Sequence, residues 1–297
     1  MSFAKGTLIP VGGNENKGDI DSEYDEMEFI SDGILFQVVK EAGGVDALIV
    51  IIPTASGYPV EVGQAYLDAF SKLGCTNLKV LDIRSQEDAE SEENLDYIKK
   101  AQGVMFSGGD QSKIADKIGG TQFHSILAER YKNEEGFVIV GTSAGAMMMS
   151  QEMIAGGSSQ ESFIKGAVLM RNGLGLLPEV IFDTHFIMRG RFGRVSEAVA
   201  QFPNLLGVGL AEDTGMIIRN GNEMKVIGSG MAIIFDGSEI SHNNHKVLEE
   251  GTPLTLANLK VHILSNSDRF DIEKREVRAL PIGEPLDSSI QKIIGEL

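Results

Sequence analysis

Residues 138–149 read VIVGTSAGAMMM. Within them Gly141-Thr142-Ser143-Ala144-Gly145 fits G-x-S-x-G, the pattern of a serine nucleophile on a sharp strand-to-helix turn. That chemistry needs small residues at the two ends of the motif, Gly141 and Gly145, because larger ones would clash in so tight a turn. The apolar run before the motif and AMMMSQEM after it supply the strand and the helix that such a turn joins. The same residues also suit a Gly-rich turn that only packs a helix against a sheet, or one that holds an anion at a helix N-terminus. Local sequence does not choose between these.

A serine nucleophile needs a base. There are five histidines. His124 falls in a helical pattern, His242 and His245 in the polar turn SHNNH, and His262 in the strand-like KVHIL. His185 differs, because it stands in DTHF directly after the apolar run EVIFD, at the carboxyl end of a predicted strand. Glu212 and Asp213 follow LLGVGLA in the same way, so either can orient His185. The order Ser, His, Glu along the chain is not that of α/β-hydrolases, which argues against an ordinary esterase or lipase. In FSGGDQ, a glycine N–H could complete an oxyanion hole with that of Ala144, while Asp110 could cap a helix. Arg189, Arg191 and Arg194 form the basic cluster of an acidic chain. Their planar forks suit substrate carboxylates, or equally salt bridges to some of the 43 acidic residues.

The elements that must position these residues follow from periodicity. GTLIPVGG, DALIVIIPTAS, NLKVLDI, GVMFSGGD and GFVIVGTS read as buried strands. Helical patterns run through DGILFQVVKEAG, PVEVGQAYLDAFSKLG, NLDYIKKA and FHSILAERY between them. This alternation predicts a mostly parallel sheet with helices on both faces, which binds ligands beyond the carboxyl ends of its strands. PVGGNENKG, TASGYP, FSGGDQ and VGTSAG are the turns at that edge. Beyond residue 170 short strands dominate, so we expect one α/β domain over 1–297, with 237–297 as a β-rich C-terminal extension. The acidic segments EYDEMEF and SQEDAESEENLDY read as solvated helix starts or loops.

Composition bounds the function. A net charge of −17 repels nucleic acid and favours solubility, and would draw in a cationic substrate. Cys75 is the single cysteine, so no disulfide forms within the chain. No apolar run approaches a membrane span, and the opening MSFAKGTLIP lacks the charged and apolar regions of a signal peptide. A cytoplasmic location is expected.

Taken together, GGDQ, GTSAGA, D-x-HF-x-x-R-x-R-x-x-R and a strand ending in E-D-T resemble serine peptidase family S51, which contains cyanophycinases and the aspartyl dipeptidase peptidase E. The opening IPVGGNENK and the GxGLL before the histidine add to the resemblance, which spans roughly residues 5–236. It implies a flavodoxin-like sheet related to class I glutamine amidotransferases. It implies Ser143 as nucleophile, His185 as general base and acid, and Glu212 as orienting carboxylate. Gly109 or its neighbour and Ala144 would form the oxyanion hole. Gln111, Asp183, Thr184, Arg189, Arg191 and Arg194 match positions tied to substrate binding, with arginines holding carboxylates and acidic groups holding a guanidinium. The implied activity is an exopeptidase acting on peptides with β-aspartyl linkages, releasing β-Asp-Arg from cyanophycin, with no metal or cofactor and as a homodimer. A peptidase E-like aspartyl dipeptidase and a non-catalytic peptide-binding module are the alternatives. Thr184 departs from the Gln that cyanophycinases often carry before the histidine. A short hydroxyl replaces a reaching amide, a change that falls on substrate recognition rather than on acyl transfer.

Overall fold

The computed structural model describes residues 4–18, 29–158 and 163–278. Most of EYDEMEF and residues 279–297 of the expected extension lie outside the described residues. Five apolar runs form the parallel strands β1 (Thr7–Val11), β2 (Ile49–Ile52), β3 (Leu78–Val80), β4 (Gly103–Phe106) and β5 (Val138–Thr142), side by side in the order β1-β5-β4-β2-β3. Their period of two sends alternate side chains to opposite faces. Ile49, Ile51, Met105 and Val140 meet α1 (Ile34–Glu41) and α2 (Pro59–Lys72). Val50, Ile52, Val104, Phe106 and Ile139 meet the opposite layer, α3 (Gln86–Ala89), α4 (Glu92–Lys100), α5 (Gln111–Ile118) and α6 (Gln122–Asn133). Burial on both faces is why these strands are apolar throughout rather than alternating.

The acidic SQEDAESEENLDY segment makes α3 and the start of α4, with a capping box at Ser85 and Ser91 capping α4. Asp110 caps α5, its Oδ1 accepting from the Ser112 N–H at 2.8 Å.

After β5 the chain makes a single turn of helix, α7 (Ala144–Met147), and not the longer helix that AMMMSQEM suggests. Met147, Met148 and Met149 are all buried in the core between the sheets. The chain passes instead into the hairpin β6 (Glu152–Gly157) and β7 (Val168–Asn172). Then follow β8 (Val180–Asp183), α8 (Phe192–Gln201), β9 (Leu206–Leu210), β10 (Thr214–Arg219), β11 (Glu223–Gly228) and β12 (Ala232–Asp236). The last described elements are β13 (His242–Asn243), β14 (Leu256–Ala257), β15 (Lys260–Leu264), β16 (Arg269–Asp271) and β17 (Glu276–Arg278).

Apart from β13 and β14, which pair only with each other, the strands from β8 onward serve two sheets. β10, β11, β16 and β17 continue the large sheet antiparallel beyond β1. β8, β9, β12 and β15 form a second sheet, of which only β8 and β9 are parallel to each other. The second sheet and α8 share the core on the α4–α6 face of the large one. The C-terminal strands are therefore threaded onto the edges of both sheets, and the α/β architecture is the expected one with its second half split. This split matters for the site, because β1 and β5 belong to one sheet while β8 and β9 belong to the other. Among the described residues no helix is long and apolar enough to cross a membrane.

Candidate active site

Three turns meet at the carboxyl ends of β1, β5, β8 and β9. Ser143 follows β5 with φ 50° and ψ −111°, a conformation that costs a non-glycine residue energy and persists only when its surroundings fix it. Here the glycines of the motif show their use, since a Cβ on Gly141 would lie 2.0 Å from the Gly145 carbonyl oxygen. His185 follows β8 with φ 50°, and Asp213 lies beyond β9 with φ 44°. Each of the three donates its N–H to successive carbonyls at the end of β1: Ser143 to Val11 at 2.8 Å, His185 to Gly12 at 2.9 Å, and Asp213 to Gly13 at 2.9 Å. Gly13 must be glycine, because a Cβ there would sit 2.5 Å from His185 Cε1.

The side chains converge accordingly. Ser143 Oγ lies 3.1 Å from His185 Nε2, and His185 Nδ1 lies 3.1 Å from Glu212 Oε1. Of the two acidic neighbours left open by the sequence, Glu212 reaches the histidine. Asp213 is turned away, accepting from the Asn16 N–H at 3.2 Å and from Ser229 Oγ at 2.7 Å. The other four histidines serve elsewhere; His124, for example, places Nε2 2.8 Å from the Leu174 carbonyl.

Burial pushes the His185 pKa below its ordinary value, and the positive charge of Arg189 lowers it further, against the opposing hydrogen bond that His185 Nδ1 donates to Glu212. A depressed value keeps the imidazole neutral, as a base must be, so activity should rise with pH through a midpoint below about 6.5. Arg189→Gln removes the charge that lowers it most, lets the His185 pKa rise, and should move the acidic limb of the kcat/KM profile to higher pH. A pH–rate series on both proteins checks this, and an unmoved limb would contradict it.

Beside Ser143 lies a cavity of about 340 Å³. Its lining includes Gly109, Gln111, Met147, Thr184, Arg189, Arg191 and Arg194. A larger cavity of about 500 Å³ holds none of the candidate residues, so chemistry rather than volume selects the site. The Ala144 N–H is at the start of α7, where helical N–H groups lack an intrahelical partner. Gly108 faces the serine, since a Cβ on it would be 3.3 Å from Ser143 Cβ. Gly109, with φ 140°, is pressed against the Ala55 carbonyl. The arrangement can deliver a hydroxyl to a carbonyl carbon, remove its proton, and face the resulting oxyanion with backbone donors.

The family model described as Peptidase family S51 matches residues 28–227. This chain belongs to peptidase family S51. It is a hydrolase of the serine-peptidase type. A cyanophycinase of Geminocystis herdmanii is 40% identical over 77% of this chain and 84% of its own. A cyanophycinase of Trichormus variabilis is 39% identical over 82% of each chain. A crystal structure of a peptidase from an acI-B1 Actinobacterium superposes with a TM-score of 0.62 at 20% identity, covering 91% of this chain and 98% of that one, and so shares the fold.

Within this S51 peptidase the substrate-binding expectations divide. Arg189 is exposed at the cavity. Gln111 lines it with its amide nitrogen committed to the Ile154 carbonyl at 2.8 Å. Thr184 is fully buried, its hydroxyl turned toward the Met147 sulfur at 3.5 Å. Asp183 is 0% exposed, with both oxygens engaged inside the protein rather than presented to the cavity. Its oxygens take Arg191 Nη1 at 3.0 Å, Arg194 Nε at 3.0 Å, Arg194 Nη2 at 2.8 Å and the Thr184 N–H at 2.9 Å. Internal salt bridging, the alternative for the arginine cluster, therefore accounts for Arg191 and Arg194, although both still border the cavity.

One group escaped the sequence reading. Glu15 is 3% exposed and accepts from Tyr66 Oη and from Thr142 Oγ1, the latter at 2.5 Å. The turn PVGGNENKG pointed to its neighbourhood, but nothing local marked this carboxylate as buried.

Proposed function

We propose that this S51 peptidase degrades cyanophycin, a poly-aspartate backbone with arginine joined to each β-carboxyl group, releasing β-Asp-Arg. The observation that carries the reading is the continuous hydrogen-bonded line Ser143–His185–Glu212 opening on a cavity with the exposed guanidinium of Arg189. The relatives named cyanophycinase support the choice of polymer. Because the product keeps its β-Asp–Arg bond, the bond broken is the backbone amide between successive aspartates.

In this reading Ser143 Oγ attacks that carbonyl while His185 Nε2 takes its proton. Charge develops on the carbonyl oxygen, facing the Ala144 N–H and an N–H of the Gly108–Gly109 turn. The C–N bond breaks as His185 returns the proton to the leaving amine. Water, deprotonated by His185, then hydrolyses the acyl-enzyme. Glu212 holds the imidazole in the tautomer that presents Nε2 to the serine. Arg189 would grip a substrate carboxylate through its fork. A cytoplasmic homodimer completes the proposal.

Incubation with cyanophycin and with a panel of α- and β-aspartyl dipeptides, followed by mass detection, tests it. Release of β-Asp-Arg is expected. Cleavage confined to α-aspartyl dipeptides would replace it with a peptidase E-like activity. The position of Thr184, buried and short where a reaching amide is common, keeps another aspartyl peptide as the second reading.

A further inference from the structure

A carboxylate removed from water is costly unless its oxygens are hydrogen-bonded and its charge is paired. Glu15 meets both conditions. Tyr66 Oη and Thr142 Oγ1 donate to separate oxygens, and Lys17 Nζ lies 3.1 Å from Oε1. Burial pushes the Glu15 carboxyl up, but Lys17, Thr142 and Tyr66 outweigh it and hold the group below its usual value, so it is ionised at neutral pH. Hydroxyl donors to an ionised oxygen make short, strong bonds, as at the 2.5 Å contact with Thr142.

Thr142 is the last residue of β5 and directly precedes Ser143. A valine would serve the strand equally well. The hydroxyl has a separate use, tying the entry side of the turn to the segment after β1. The Ser143 N–H ties the same turn to Val11 from the backbone. A positive-φ serine needs such over-determination to stay where it is. From this geometry we infer that Glu15 is a positioning residue which, through Thr142, holds the Ser143 turn in its reactive conformation without touching the reacting atoms. The inference rests on Ser143 being the nucleophile.

The test compares Thr142→Val, Thr142→Ser, Glu15→Gln and the double variant E15Q/T142V with the unaltered protein. Circular dichroism and melting establish folding. The readouts are kcat, KM and the rate at which a fluorophosphonate labels Ser143. T142V and E15Q should each lower kcat and labelling about tenfold or more, with KM changed less than about threefold, since they displace the reacting atom rather than weaken binding. T142S keeps the hydroxyl and should label near the unaltered rate. The double variant should be no more than about twofold slower than the slower single one, because both break one contact. Should E15Q fail to fold, T142V against T142S decides. If the unaltered protein labels and folded T142V labels equally fast, the inference is overturned while the nucleophile stands. If the unaltered protein does not label, the nucleophile assignment falls and takes this inference with it.

Discussion

Replacing Ser143 with alanine is expected to lower kcat by at least about 10,000-fold while the protein stays folded. Without Oγ no acyl-enzyme forms, and His185 has no proton to take. The backbone donors near Ala144 and the cavity remain, so KM should move little. His185→Ala should cost about as much, because residues that act as a unit fail together. Glu212→Gln should also slow the reaction strongly, since an amide beside Nδ1 can favour the wrong tautomer. Steady-state kinetics on whichever aspartyl peptide is cleaved, with circular dichroism as the folding control, gives the answer. More than about one per cent of the original kcat in the alanine variant would remove Ser143 from the mechanism.

The second large effect falls on stability. Asp183 is fully buried and pairs with two guanidinium groups. Asp183→Ala leaves Arg194, itself 4% exposed, as a buried charge without its partner, and Arg191 beside it. Breaking such a pair from one side typically costs about 3–5 kcal/mol. Urea unfolding of both proteins measures this, and a loss under about 1 kcal/mol would contradict it. Activity should fall as well in the fraction that remains folded. Asp183 anchors the Thr184 N–H, and Arg191 donates to the Thr184 carbonyl at 2.7 Å, so the peptide leading into His185 is fixed from both sides.

Much of the site was legible because parallel strands announce themselves. Ser143, His185 and Glu212 each follow an apolar run, and in such sheets the carboxyl ends share one edge. Partnership was not legible. Nothing in DTHFIMRGRFGR distinguishes an arginine facing a cavity from one folded back on Asp183, because that depends on α8 turning Arg194 inward. α8 itself was missed, since its buried side includes Arg194, Ser196 and Glu197 and so hides the helical period of apolar residues. Glu15 was invisible for a related reason: its partners Tyr66 and Thr142 lie 51 and 127 positions away. The division of the later strands between two sheets also left no mark, because a buried strand reads the same in either.

The carbonyls of Val11, Gly12 and Gly13 receive the Ser143, His185 and Asp213 amides in consecutive order. The spacing of these three turns is thus tied to the repeat of one short piece of chain. Adding or deleting a single residue there would offset at least one rung against the others, so the length of that segment is as much a part of the enzyme as any side chain.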